Sequence, residues 1–179
     1  MGVAVLFARR DSVYKTMPGC DVFDADRDAR TFMGGMPVVA HPPCRGWGRL
    51  RGFSLATEEE RELGPWAVRK VQAYGGVLEH PAESTLWMHC GLPRPGRAPD
   101  DCGGYTIQVR QCDWGHRAEK LTWLYIVGVD PDDLPPMPAP RAHTHCIRPG
   151  KTYPRLPSVT KREREATPPE FAHWLVAVA

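Results

Sequence analysis

The chain has 179 residues, of which 42% are hydrophobic and 25% charged, and its formal net charge is +2. These values predict one soluble globular domain over residues 1–179 that is large enough for an ordinary core, and the net charge by itself says little about partners. No apolar run approaches the roughly 18 residues that cross a bilayer, so no membrane partner is expected. Arg9 and Arg10 follow the short apolar N-terminal run instead of preceding it, so no secretory signal is recognised.

The cysteines predict a reducing compartment. Six cysteines are spread along the chain, and no Cys-x-x-Cys pair occurs. That spacing argues against a zinc ribbon and against a thioredoxin-type redox site. Free thiols are the usual state of cytoplasmic proteins.

The first elements in chain order are short. Residues 3–8 are apolar and predict a buried strand, and residues 20–23 predict a second one. Three aspartates between residues 24 and 28 lack the glycine and distal glutamate of a calcium loop, so they indicate a solvated turn or helix start. Residues 38–40 are predicted to form the central strand, which the Pro-Pro pair at 42–43 ends.

A helix is predicted after the central strand. Thr57 and Glu60 form a capping box that opens a helix reaching about Tyr74, and Pro65 is expected to kink or split it. Its expected core stripe consists of Leu63, Trp66, Ala67, Val71 and Tyr74.

A strand follows this helix at once, in residues 77–78, and Pro81 ends it. Strand, helix and strand make a βαβ unit with parallel strands. Cys44 and Glu79 should therefore project from the same edge of the sheet.

The C-terminal part predicts two more strands and a helix. Residues 91–104 are a Pro/Gly-rich loop, and residues 106–110 and 121–129 have strand patterns. Residues 130–160 form an irregular, proline-rich basic segment, and Thr167 opens a final helix as the N-cap of a capping box. The predicted fold class is α/β, with a Rossmann-like, mostly parallel sheet flanked by helices.

The loop that begins at Cys44 is the strongest candidate for chemistry. Arg45, Arg49 and Arg51 follow closely, and such neighbours favour the reactive thiolate. The alternative is a small buried cysteine that only fills the core. A thiol and a carboxylic acid at neighbouring strand ends suit attack on a flipped-out pyrimidine: the thiolate adds to C6, the acid contacts N3, and C5 becomes nucleophilic.

Four motifs resemble those of DNA cytosine-5 methyltransferases, in the order of that family. Residues 42–44 resemble its Pro-Pro-Cys motif, and residues 78–81 are similar to its Glu-Asn-Val segment. Residues 113–128 resemble its Asp-Tyr-Gly segment and the strand after its Gln-x-Arg-x-Arg motif, and residues 164–170 resemble the opening of its late helix.

The resemblance implies a truncated methyltransferase-type domain that acts on DNA or a pyrimidine nucleotide. It implies that Cys44 is the nucleophile, that Glu79 contacts N3, and that Lys120 stands where the first arginine of the Gln-x-Arg-x-Arg motif falls. The expected substrate-binding residues are His41, Pro43, Arg45, Trp47, His80 and Lys120. Trp47, Trp87 and Trp114 either stack on a flipped base or pack in the core.

The cofactor half of the resemblance is incomplete. The family's glycine-rich loop for S-adenosylmethionine is replaced by residues 6–10, which contain no glycine, and Asp21 or Asp24 is the candidate for the ribose contact. No room remains between Val129 and Thr167 for a target-recognition domain. This short form resembles small phage and prophage proteins, which implies a cytoplasmic location in a bacterial host.

Two alternatives stay open. The same pocket could act on free nucleotides with another donor, or the chain could be a degenerate DNA-binding or anti-restriction module. The second alternative is supported by the segment from Arg141 to Glu165, where seven Lys or Arg residues stand against two glutamates. No metal site is predicted, because His41, His80 and His116 match no ligand spacing.

Overall fold

A single six-stranded sheet organises the chain in the computed structural model, which describes residues 2–148 and 155–179. Its strands are β1 (Val3–Leu6), β2 (Cys20–Phe23), β3 (Val38–Ala40), β4 (Gly76–Pro81), β5 (Tyr105–Arg110) and β6 (Leu121–Val127). They lie in the order β2-β1-β3-β4-β6-β5. Strands β1 to β4 are parallel, and β6 pairs antiparallel with both β4 and β5, so the fold is α/β with a mixed, mostly parallel sheet.

The register of this sheet places the starts of the loops after β3 and β4 next to each other. Ala40 is paired with Leu6 on one side and with Leu78 on the other, so His41 and Glu79 both follow at the carboxyl edge. The strand order also reverses between β1 and β3. In open α/β sheets, the crevice outside the carboxyl ends of the strands at such a reversal is where ligands bind.

Helices cover both faces of the sheet. On one face, α1 (Glu58–Tyr74) and α2 (Thr85–His89) pack on sheet side chains that include Leu6, Ala40 and Leu78. On the other face lie α4 (Pro169–Val178) and a 3₁₀ turn at Val13–Thr16. A further short helix, α3 (Lys161–Glu165), precedes α4.

The structure confirms the predicted N-cap of α1 but not the predicted stripe of core residues on this helix. Thr57 Oγ1 accepts a hydrogen bond from the Glu60 amide at 3.2 Å, and the helix continues unbroken through Pro65. The fully buried residues on it are Gly64, Pro65, Ala67, Val68 and Val71. The predicted stripe is therefore wrong at three positions, since Leu63 and Trp66 are half-buried and Tyr74 is exposed.

The junction of α1 and β4 demands glycine. Gly75 and Gly76 have φ angles of 76° and 107°. A Cβ on Gly76 would lie 2.1 Å from the Val38 carbonyl oxygen, so a larger residue would push β4 away from β3.

The C-terminal part departs from expectation at its helix start. Helix α4 takes Pro168 as its N-cap instead of Thr167, because Pro169 holds Pro168 in an extended conformation with ψ of 143°. The short helices α2 and α3 were not predicted. Residues 130–148 and 155–160 are irregular, as predicted, apart from a 3₁₀ turn at Pro131–Asp133, and residues 149–154 of that segment lie outside the described residues.

None of the helices described is both long and apolar enough to span a bilayer.

Candidate functional site

The Cys44 loop leaves β3 in a tight turn. The Cys44 carbonyl accepts hydrogen bonds from the amides of Trp47 and Gly48, at 3.0 and 2.8 Å. The prolines at 42 and 43 end the strand before this turn, because they supply no amide donor. Cys44 is exposed, which is the position that a nucleophile needs.

Glu79 lies at the same edge as a nearly enclosed carboxylate. Its side chain is 12% exposed, and both its oxygens accept hydrogen bonds: Oε2 from His41 Nδ1 at 3.0 Å and Oε1 from Gln111 Nε2 at 2.9 Å. Burial acts to raise the pKa of Glu79. The hydrogen bond from His41 and the charge of Lys120 outweigh it and lower that pKa to about 2, so the group is ionised at neutral pH.

Tyr14 extends this hydrogen-bonded chain into the core. Its hydroxyl lies 3.0 Å from His41 Nε2, and the residue is only 1% exposed. Burial raises the pKa of Tyr14 well above its usual value, so the phenol keeps its proton. A phenol that donates to Nε2 leaves Nδ1 as the ring nitrogen that donates to Glu79.

Lys120 brings an amine into the cluster. It precedes β6 with a φ of 39°, in the left-handed region, and its Nζ donates to the Ala166 carbonyl at 3.3 Å. Burial lowers the pKa of Lys120, and the charges of Glu79, Cys44 and Glu165 oppose that change. Charge effects thus link Cys44, Glu79 and Lys120 at the same edge of the sheet.

The Cys44 thiol is less acidic than the sequence indicated. Although the residue as a whole is exposed, its thiol is partly desolvated, and this desolvation, with the Glu79 carboxylate, raises its pKa, while Lys120 only partly compensates. The expectation that neighbouring arginines favour a thiolate is wrong. Arg45 is ion-paired with Glu60 on α1, and the side chains whose charges act most on the thiol are Glu79, Lys120 and Glu165.

His80 does not face the site. Side chains alternate along a strand, so His80 points to the opposite face from Glu79, where it is fully buried beside Trp87. Burial lowers the pKa of His80 to about 4, although Glu79 and the Pro43 carbonyl oppose this. Neither ring nitrogen meets hydrogen-bond geometry with a described residue, although the Pro43 carbonyl lies near enough to act on the imidazole. His80 therefore lies beneath the Cys44 loop instead of contacting substrate.

Trp47 anchors the Cys44 loop. Pro65 has no amide hydrogen for the Arg61 carbonyl one turn earlier in α1, and Trp47 Nε1 donates to that carbonyl at 3.1 Å instead. Gly64 permits this approach, since a Cβ there would lie 2.9 Å from Nε1. Trp47 is 7% exposed, so its position fits core packing, and Trp87 and Trp114 are likewise buried.

The two candidate ribose ligands are already engaged. Asp21 is ion-paired with Arg27. Asp24 is paired with Lys15 and also accepts from the amides of residues 26 and 27, at 2.9 and 3.1 Å. These carboxylates and the glycine-free turn after β1 do not fit S-adenosylmethionine in the way that the resemblance implies, so no step below depends on a methyl donor.

Three contributors to the site were not recognised in the sequence: Tyr14, Gln111 and Glu165. Tyr14 lies in a polar stretch without a periodic pattern, and Glu165 reaches the site through the packing of α3. Gln111 follows directly on β5, and a polar residue at the end of a buried strand was the available signal. Within the described ranges, no group of three metal-ligating side chains converges, and His116 is bonded to the Ala118 and Glu163 carbonyls.

Comparisons with family models, with curated proteins and with solved structures each find no match to this chain. What the site can do therefore follows from its own side chains. These are the thiol of an exposed cysteine, an ionised carboxylate and a half-buried amine at one sheet edge.

Proposed function

We propose that this chain is a pyrimidine C5-modifying enzyme whose chemistry resembles that of DNA cytosine-5 methyltransferases. Cys44 adds to C6 of the base, and Glu79 contacts the N3 side of the ring. The reversal of strand order beside β1 supports a Rossmann-like, truncated methyltransferase-type domain. The donor of the group added to C5 is left open.

One observation carries the proposal. The charges of Glu79 and Lys120 both act on the Cys44 thiol, although the three residues come from the end of β3, the end of β4 and the start of β6. Nucleophilic attack on a pyrimidine needs a thiol and polar groups that stabilise the charge on the ring. Taking an amine and a carboxylate out of water beside a thiol costs free energy of folding. Core packing alone does not account for this arrangement.

The reaction follows from the properties of these groups. When the thiolate adds to C6, the C5=C6 π pair shifts to form C4=C5 and the C4=N3 π pair becomes a lone pair on N3. N3 then takes up a proton, and C5 becomes the nucleophilic carbon of an enamine. Glu79 is ionised, so it can accept a hydrogen bond from the protonated N3 or from the exocyclic amine of cytosine.

Nucleoside mass spectrometry tests this function. DNA is isolated from cells that express the wild-type protein, Cys44→Ala or Cys102→Ala, and it is then digested to nucleosides. Cys102 is the matched control, because it is also exposed but lies before β5, at the opposite edge of the sheet. We expect a new pyrimidine mass with wild type and Cys102→Ala and its complete loss with Cys44→Ala. The same product with Cys44→Ala would refute the role of the thiol, and parallel incubations with dCMP and oligonucleotides separate the two substrate classes.

A second candidate, a DNA-binding module without catalysis, is favoured by the end of the Cys44 loop. Phe53 and Leu55 are 89% and 91% exposed, and Arg49 and Arg51 have no ion-pair partner among the described residues. Arginines of this kind bind phosphates, and exposed apolar side chains can insert between bases. By contrast, Arg141 and Arg162 of the basic segment are ion-paired with Glu170 and Asp11.

Salt-dependent binding to an oligonucleotide duplex tests this second candidate. Affinity that survives Cys44→Ala and is lost in Arg49→Ala/Arg51→Ala, with no modified base in cells, would favour it. Two phosphate contacts should contribute about 2 to the slope of log K against log salt concentration.

A further inference from the structure

Glu79 is held by two donors that reach it from opposite sides of its strand. His41 follows β3, on one side of β4, and bonds Oε2 at 3.0 Å. Gln111 follows β5, beyond β6 on the other side, and bonds Oε1 at 2.9 Å. A glutamate carboxylate rotates easily about its last bond, but a hydrogen bond at each oxygen fixes its plane. The orientation of this carboxylate is therefore set by the fold.

Tyr14 holds the His41 ring in place. Its hydroxyl lies 3.0 Å from His41 Nε2, and the two ring centroids are 5.5 Å apart. The phenol is 1% exposed, so it has no access to water as another partner. If the imidazole turned away, the buried hydroxyl would lose its hydrogen bond, which is unfavourable. His41 Nδ1 is thus a fixed donor to Glu79.

Gln111 is fixed as a donor by its other contacts. Its Nε2 also donates to Thr122 Oγ1 at 3.0 Å, and that hydroxyl donates onward to the Lys120 carbonyl at 3.1 Å. A carboxylate and a hydroxyl whose proton is engaged both require a donor, so the amide nitrogen has to face them. The Gln111 Oε1 atom is left buried without a hydrogen-bond partner among the described residues. That orphaned oxygen costs stability, and packing alone does not account for it.

We propose that His41 and Gln111 are positioning residues that fix Glu79 as a pair of acceptors and thereby make the site select cytosine over uracil. This inference rests on the proposed function and adds the residues that set its choice of base. His41 was expected to bind substrate directly, and in this proposal it acts through Glu79. Tyr14 supports it from behind.

The selection follows from the donors and acceptors on each base. Glu79 holds no proton at neutral pH, and each oxygen keeps a free lone pair, so the carboxylate presents two acceptors and no donor. After thiolate addition, cytosine offers two adjacent donors, the protonated N3 and the exocyclic amine. Uracil offers N3–H beside the O4 carbonyl, which gains negative charge on addition. A carboxylate that cannot rotate away repels that oxygen and leaves it without a donor.

Loss of one donor should affect the two bases differently. The contact between Glu79 and the protonated N3 forms only as the thiolate adds, so its loss lowers kcat with little change in KM. A smaller folded fraction also lowers kcat, but it lowers the rates on cytosine and uracil equally. The ratio of the two rates therefore separates positioning of Glu79 from a general effect on stability.

The test measures exchange of the C5 hydrogen in D₂O, which needs no group donor. When Cys44 adds to C6, C5 of the enamine takes a deuteron from solvent. The original C5 proton then leaves to solvent, the C6–S bond breaks, and the thiolate and the C5-deuterated base are released. Nucleoside mass spectrometry follows this exchange in a single-stranded oligonucleotide with one cytosine and in the same strand with uracil there. Parallel samples contain dCMP and dUMP.

His41→Leu and Gln111→Leu each remove one donor to Glu79. We expect the cytosine rate to fall by about 100-fold in both variants, because a misplaced group loses most of its effect. The ratio of the cytosine rate to the uracil rate should fall by about 10-fold. Tyr14→Phe should lower the same ratio by a smaller factor. Tyr125→Phe, which removes an equally buried phenol that is bonded to Asp100, is the matched control and should keep the wild-type ratio.

His41→Asn tests rescue, because its amide can place an N–H donor where Nδ1 lies. We expect it to retain most of the wild-type ratio. Urea denaturation gives the folded fraction of each variant. Tyr14→Phe and His41→Asn are the smaller changes, so they decide the question if a leucine variant does not fold.

The inference and the proposed function fail in different ways. No C5 exchange by wild type on any of the four substrates would refute the proposed function, and the inference with it. Exchange that requires Cys44 but has the wild-type ratio in His41→Leu and Gln111→Leu would refute only the positioning role. Wild type that exchanges uracil as fast as cytosine would also overturn the inference and leave the proposed function in place.

Discussion

The two edges of the sheet each contain a buried polar network, but the networks have different compositions. At the amino edge, Asp100 Oδ1 accepts from the amides of Cys102 and Gly104, at 3.0 and 2.8 Å, and Oδ2 accepts from Tyr125 Oη at 2.6 Å. Gln72 Nε2 donates to the same phenol at 3.3 Å. One carboxylate is thus surrounded by neutral donors, which is the arrangement that fastens a loop to a core.

At the carboxyl edge, several titratable groups share one environment. Cys44, Glu79 and Lys120 perturb one another, and His80 lies beneath them without a well-aligned hydrogen bond to any described residue. A network of this kind costs stability, because buried charges and unpaired polar atoms are unfavourable. The polar cluster at the amino edge therefore stabilises the fold, whereas the cluster at the carboxyl edge lowers stability, as is expected of a functional site.

The largest expected effect is at the centre of the carboxyl edge. Glu79→Ala would leave Lys120 without its principal counter-charge and remove the acceptor of His41 and Gln111. Removing a nearly enclosed, hydrogen-bonded carboxylate that is paired with His41 should lower the free energy of unfolding by about 3 kcal/mol, measured by urea denaturation. Glu62→Ala, an exposed change on α1, is the control and should stay within about 0.5 kcal/mol. An equally small effect of Glu79→Ala would mean that the two edges do not differ.

Acid should weaken the carboxyl edge through His80. Burial lowers the pKa of His80 from 6.5 to about 4, so below pH 6.5 the unfolded chain binds a proton that the folded chain refuses. The free energy of unfolding should fall by up to roughly 3 kcal/mol between pH 6.5 and 4. His80→Leu should flatten that interval, whereas Asp100→Asn at the other edge should leave its slope as it is in wild type. A slope retained in His80→Leu would show that another group takes up the proton.

The smallest effect is expected at the amino edge. Tyr125→Phe removes the hydroxyl that donates to Asp100, and loss of a hydrogen bond to a charged group costs about 1.5 kcal/mol. Cys44 alkylation should be unchanged in this variant, because the network is at the other end of the strands. Altered thiol reactivity would contradict the separation of the two edges.

Local sequence patterns were enough to predict much of this fold. The strand at residues 38–40, the capping box at Thr57 and the βαβ connection to Glu79 follow from turn chemistry and short-range apolar runs, and each is confirmed. The start of α4 was missed by one residue, because the conformational effect of Pro169 on Pro168 overrides the capping-box pattern.

The electrostatics of the site could not be predicted in the same way. A thiolate was expected from arginines near Cys44 in sequence, but Arg45 turns to Glu60, and the groups that act on the thiol are distant in the chain. Tyr14 and Gln111 join Glu79 only through tertiary packing. The pKa of a buried group depends on such neighbours in space, which the order of residues alone does not reveal.

The clasp between Glu165 and Arg9 has a consequence for synthesis of the protein. Their side chains meet at 3.1 Å across 156 positions, and the adjacent Ala166 carbonyl holds the Lys120 amine. Cys44 and Glu79 will have emerged from the ribosome long before residues 165 and 166 are added. During synthesis, the Cys44 thiol is therefore exposed before Glu165, which affects its pKa, has been added. The Lys120 amine can bond the Ala166 carbonyl only after α3 has been translated.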